Sequence, residues 1–120
     1  MLNLDTHILL FALTGQVTPA ERKILSADDW SISAIVLWEI ARLAELKRIS
    51  VDLEDREVAR VLSRIHTWPI DLTVCRHLRL LDVRSDPADD LIAATSLAHQ
   101  IPLVTRDKRL RRSKKVPLAR

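Results

Sequence analysis

A single cysteine, Cys75, and a single glycine, Gly15, occur among 120 residues. One thiol excludes an internal disulfide and a cysteine-rich zinc site, and such sparing use of cysteine predicts a reducing, cytoplasmic setting. One glycine against five prolines leaves little material for flexible linkers. Aromatic residues are equally scarce: Phe11 and three tryptophans are few for the stacking platforms of a single-strand binding module. No apolar run approaches the roughly eighteen residues of a membrane span. The N-terminus carries neither the basic start nor the small-residue cleavage site of a secretory signal. The histidines, His7, His66, His77 and His99, show no HExxH-type spacing, and no serine is framed as an activated nucleophile.

What is present is a compact, apolar-rich chain. Apolar residues make up 48%, which suits one globular domain over residues 1–120. The net charge of +3 hides a segregation, because residues 106–115, RDKRLRRSKK, hold seven Lys/Arg. Such a segment attracts phosphates and is weakened by salt when it does, although a basic tail is as often a solvated, mobile end.

Hydrophobic spacing gives alternating short strands and helices. LNLD (2–5) reads as a buried strand, followed by helix over 6–13. Thr18, Pro19 and Glu21 form a capping box at the head of a helix over 18–27. WSIS (30–33) is the next strand, and Ser33 caps a long amphipathic helix with Val36, Leu37, Ile40, Leu43, Ala44 and Leu46 on one side. Residues 54–66 and 73–84 read as helices. WPIDL (68–72) is a strand candidate weakened by its proline. A helix runs from Pro87, IPLVT (101–105) is a strong strand, DKRLRR a short helix, and VPLA an edge strand. Trp30 and Trp38 read as buried, as does Cys75, a small apolar residue on its helix. Such alternation predicts an α/β fold, a three-layer α/β/α sandwich around a mostly parallel sheet of four to five strands.

Acids fall where that fold gathers function, at the carboxyl ends of strands and the starts of the following helices. Asp5 ends the first strand. Asp107 follows the strand IPLVT. Glu39 sits inside the apolar run AIVLWEIA, where a glutamate without a partner is expensive to bury. DPADD (86–90) supplies three more acids at a helix start. Asp86 suits the N-cap, Asp89 lies with the polar side of the helix, and Asp90 lies nearer Ala94 and Leu97. Spacing favours Asp89 for the pocket without excluding its neighbours. Gathered carboxylates repel and raise one another's pKa unless a cation joins them, and all-oxygen ligation suits Mg²⁺ or Mn²⁺.

LDTH, ISAIVLWEIA and DPADDLIAATSLAHQIPLVTRD, in that order, resemble a PIN domain, and more narrowly a VapC-type toxin ribonuclease, over essentially the whole chain. The resemblance implies a metal site of Asp5, Glu39, Asp89 and Asp107, with Asp86 as the cap. Asp90 stands where the family often has arginine, an extra negative charge beside the pocket. It implies Thr6 and Thr105 as hydroxyl groups supporting the ligands. It also implies Mg²⁺ or Mn²⁺ as cofactor, RNA as substrate, a homodimer and a cognate antitoxin. Phosphate contacts are expected from Arg106, Lys108, Arg109, Arg111 and Arg112. Two other readings use the same residues: a non-catalytic RNA-binding module, and a phospho-accepting receiver-like domain, which would need paired acids after the first strand and a lysine nearby.

Overall fold

The computed structural model describes all residues, 1–120. Four short strands form one parallel sheet in the order β3-β2-β1-β4: β1 (Leu2–Leu4), β2 (Trp30–Ser33), β3 (His66–Trp68) and β4 (Leu103–Val104). Seven helices connect and flank them: α1 (Thr6–Thr14), α2 (Pro19–Leu25), α3 (Ala34–Glu45), α4 (Arg56–Ser63), α5 (Leu72–His77), α6 (Pro87–His99) and α7 (Lys108–Arg111). The chain steps from β1 to β2 in one direction and returns from β3 across the sheet to β4 in the other. Right-handed crossovers then carry these connections over opposite faces. The gap between β1 and β4 is where strand order reverses, the place where open α/β sheets hold their ligands.

The core is aliphatic. Leu4, Ile8, Leu9, Ile32, Val36, Ile40, Ile92 and Leu110 are fully buried, each contributing about 1.5–3 kcal/mol by leaving water. Strands this short owe their place to packing more than to their own ladders. α6 packs against both β1 and β2 and is flanked by α3 and α5. Its buried run Ile92–Ser96 rests on small residues that let the helix approach the sheet closely. Asn3, wholly buried on β1, fastens the two layers: its Nδ2 donates to the Ile92 carbonyl at 3.1 Å and to Ser96 Oγ at 2.9 Å.

Local chemistry sets the helix ends. The Thr18–Glu21 capping box forms as the sequence predicts. Asp55, Asp71, Asp86 and Asp107 each accept a first-turn N–H as N-caps. Gly15, at φ 73°, closes α1 in the left-handed conformation that a residue without a Cβ adopts freely.

Several boundaries differ from expectation. The third strand is His66–Trp68, not WPIDL: Asp71, expected inside a strand, instead caps α5 through the Val74 N–H. α4 accordingly stops at Ser63 rather than running to His66. The helix expected over 73–84 is α5 followed by one 3₁₀ turn, Leu78–Leu80. Only Val74 of α5 is buried, so Cys75 faces solvent. Trp38 is 55% exposed and carries Arg42 over its ring, while Trp30 is half-buried and donates from Nε1 to the Leu25 carbonyl. Trp68 stacks on His99, ring centroids 4.0 Å apart. The basic segment is not a loose tail. Leu110, Ser113, Val116 and Ala119 are buried, and Leu118 bridges Leu103 in parallel along the outer edge of β4. No helix is long and apolar enough to cross a membrane.

Candidate active site

The carboxyl ends of β1 and β4 open into a cleft of about 450 Å³ lined by Asp5, His7, Phe11, Glu39, Asp86, Asp89, Arg106 and Asp107. All four acids singled out in the sequence reach it. Asp5 is held most firmly. As N-cap of α1 its Oδ1 accepts the Thr6 N–H at 2.7 Å, and its Oδ2 accepts the Thr105 hydroxyl at 2.6 Å. The Thr105 oxygen accepts the Asp107 N–H at 3.0 Å, so one buried hydroxyl links two of the acids. Thr6 donates its hydroxyl to Glu39 Oε1 at 2.5 Å, tying α1 to α3. The two threonines thus hold the carboxylates they were expected to support.

Asp107 uses Oδ1 to cap α7, accepting from the Arg109 and Leu110 amides at 2.8 and 3.0 Å. The Ser85 hydroxyl lies 3.0 Å from Asp89 Oδ2 and 3.4 Å from Asp107 Oδ2, bridging the start of α6 to the end of β4. Asp86 caps α6 through Oδ1, at 2.8 Å from the Asp89 N–H, and also lines the cleft. Capping and facing the cleft are compatible, because a cap needs only one carboxylate oxygen. Asp90 turns away: its Oδ1 accepts the Ser85 N–H at 2.9 Å, and it does not line the cleft. The extra charge expected beside the pocket is spent on the loop that enters α6.

The electrostatics are those of unpaired acids. No Lys or Arg forms an ion pair with Asp5, Glu39, Asp86, Asp89 or Asp107; the three ion pairs of the molecule lie elsewhere. Burial pushes the Asp89 carboxyl from the usual 3.8 to about 7, reinforced by the negative charges of Asp5 and Asp86 and opposed by the Ser85 hydroxyl. Burial also raises Asp5, with the Thr105 and Thr6 hydrogen bonds pulling the other way. It raises Glu39 too, against the Thr6 hydrogen bond, with Asp86 and Asp5 adding to the rise.

This donor set suits a hard divalent cation: carboxylate oxygens without cationic partners, steadied by hydroxyls, at a position where desolvation makes their charge costly. The acids ring the cleft rather than close into a ready-made cage, since no three of them stand at chelating separations.

Arg106 is the one strong cation in the cleft wall. Its Nε and Nη2 each reach a Glu21 carboxylate oxygen at 2.7 Å, and its guanidinium carbon lies 4.0 Å over the Phe11 ring. The hydrogen bonds from Arg106 hold the Glu21 carboxyl down to about 2. Lys108 and Arg111 line a second groove adjoining this one, whereas Arg109 and Arg112 are exposed and line neither. Arg111 Nη1 also donates to the Thr105 carbonyl at 3.1 Å. His7, Phe11, Asp86 and Ser85 were not singled out as site residues by the sequence. A position two or three residues from a candidate ligand on a helix start was the one signal available for His7 and Asp86.

A family model described as the PIN domain matches residues 3–116. Ribonuclease VapC22 of Mycobacterium tuberculosis is 34% identical over 96 residues, covering 77% of this chain and 73% of that protein. Among solved structures, a toxin–antitoxin complex from Klebsiella pneumoniae has a chain that superimposes with a TM-score of 0.74 at 18% identity, over 99% of this chain and 97% of that one. VapBC2 from Rickettsia felis, bound to a DNA fragment from its promoter, gives 0.73 at 20% identity over 99% and 98%. At such identities these structural likenesses speak for the fold.

Proposed function

The chain belongs to the PIN domain family, and on that premise we propose that it is a metal-dependent endoribonuclease, the toxin of a toxin–antitoxin pair. The observation that carries the proposal is the convergence of carboxylates from four chain segments on one cleft with no lysine or arginine neutralising any of them. The ribonuclease relative supplies the substrate class, and the toxin–antitoxin likenesses supply the antitoxin as partner. A homodimer is part of the same proposal.

Asp5, Glu39, Asp89 and Asp107 would hold Mg²⁺ or Mn²⁺, which when bound supplies Lewis acidity and an acidified water. The protein's own contribution is orientation. Thr105 and the Thr6 amide occupy both oxygens of Asp5, so its carboxylate cannot swing. Thr6 fixes one oxygen of Glu39, and Ser85 fixes one of Asp89. Burial, with the negative charges of Asp5 and Asp86 adding to it, raises the Asp89 carboxyl to about 7, and binding a cation there favours its ionised form. Arg106, clamped by Glu21 and stacked on Phe11, offers a rigid guanidinium to a phosphodiester entering the acidic cleft, where repulsion would otherwise oppose it.

A receiver-like phosphorylation domain is disfavoured because no lysine lines the cleft. The test is cleavage of RNA by Asp5→Asn and Asp89→Asn variants with Mg²⁺ or Mn²⁺. Each is expected to lose about 10²-fold or more of the rate, the scale of removing one electrostatic stabiliser. Metal-dependent cleavage at the wild-type rate by either variant overturns the assignment.

A further inference from the structure

Beside the carboxylate cleft lies a second groove of about 660 Å³, lined by Thr18, Ala20, Glu21, Ile24, Thr105, Arg106, Lys108, Arg111, Ala119 and Arg120. Its chemistry is the opposite of its neighbour's. Four cationic side chains face one carboxylate, and that carboxylate, Glu21, is already taken by Arg106. Lys108, Arg111 and Arg120 form no ion pair. The two depressions share Arg106, which lines both. They also share Thr105, whose hydroxyl holds Asp5 in one while its carbonyl accepts from Arg111 in the other.

We infer that this groove binds the phosphates of the RNA strand flanking the scissile bond, guiding it past Arg106 into the carboxylate cleft. The inference rests on the ribonuclease reading and deepens it. A cleft lined by five carboxylates repels a polyanion unless cations stand next to it, and here Lys108, Arg111 and Arg120 are adjacent and form no ion pair. The arrangement also divides the basic run by face. Lys108 and Arg111, three residues apart on and at the end of α7, look into the groove, and Arg120 joins them from the segment that folds back along β4. Arg109 and Arg112 carry the same charge within the same run but line neither depression. Charge alone would make all of these equivalent; geometry does not.

The experiment compares Lys108→Ala/Arg120→Gln with Arg109→Gln/Arg112→Gln, each of which removes two positive charges. Arg111 is left intact because it braces Thr105. Binding of a fluorescent single-stranded RNA to the full chain is titrated against salt in chelator, so that no cleavage intervenes, with thermal melting to verify folding. The first pair is expected to weaken binding by about tenfold and to flatten the slope of log K against log salt by about 1.4, the value for two phosphate contacts on a single strand. The second pair is expected to keep the wild-type slope. Equal losses in both pairs, a loss confined to the second, or no RNA binding by the wild type overturns the groove. Cleavage by the wild type is measured in parallel with Mg²⁺ and Mn²⁺. RNA binding that follows the groove without any cleavage sinks the nuclease reading and spares the groove, whereas cleavage with groove-independent binding does the reverse.

Discussion

Replacing Asp89 by asparagine should stabilise the metal-free protein above neutral pH while abolishing its response to divalent ions. In the folded state the Asp89 carboxyl titrates at about 7 rather than 3.8, so folding favours the protonated acid. Its contribution to stability is complete below pH 4, declines as pH rises, and is gone above pH 7. A shift of about three units caps the effect near 4 kcal/mol. Because the carboxylate is half open to the cleft, screening by water reduces this to about 1–2 kcal/mol. Urea unfolding of wild type and Asp89→Asn, in chelator at pH 4 and pH 8, isolates the effect as the difference between the two proteins' pH responses. The asparagine variant should gain about 1–2 kcal/mol on the wild type between those two conditions. Added Mg²⁺ should then stabilise the wild type at pH 8 and leave the variant nearly unmoved. An equal stability gap at both pH values, or a variant less stable at pH 8, would refute the claim that unpaired, desolvated acids strain this cleft.

Thr105→Val removes the hydroxyl that serves both Asp5 and the Asp107 amide. It should cost about 1.5–3 kcal/mol in denaturant unfolding, and a loss below about 0.5 kcal/mol would show the bridge to be incidental. Ile92→Ala, at a fully buried position where α6 meets the sheet, should cost about 2–5 kcal/mol by the same measurement.

Much of this was legible in the residues, for identifiable reasons. Asp5, Glu39, Asp89 and Asp107 could be brought to one edge on paper because each follows a strand or opens a helix in a parallel α/β pattern. Thr18–Glu21 and Ser33 announced their helices through capping chemistry that acts over three residues. Contacts decided in three dimensions were not legible. Ser85 sits in a loop with no periodicity, and its bridging of Asp89 and Asp107 exists only once α6 and β4 are side by side. Asp86 read best as a cap, and spacing left open whether it also faced the pocket, since a sequence does not show that a capping carboxylate has a second face. Asp90 looked like a charge at the pocket until the loop amide of Ser85 claimed it. β3 was misplaced by two residues because the apolar period of α4 carries on through Ile65, while a strand as short as His66–Trp68 has no alternation of its own. Cys75 and Trp38 were read as buried on residue type, yet α5 buries a single side chain and α3 presents one flank to the cleft and another to solvent.

The seam between Leu103 and Leu118 has a consequence for how copies of the molecule meet. With Leu103 N–H donating to the Pro117 carbonyl at 2.8 Å and Ala119 N–H donating to the Leu103 carbonyl at 2.9 Å, the outer main-chain groups of Leu103 are satisfied, and the border of the sheet becomes the single bridged residue Leu118. Strand-to-strand polymerisation is therefore left one bridged residue on this border and the three residues of β3 on the opposite one, both too short to template a neighbour. Association between copies has to proceed through side chains rather than by extending the sheet.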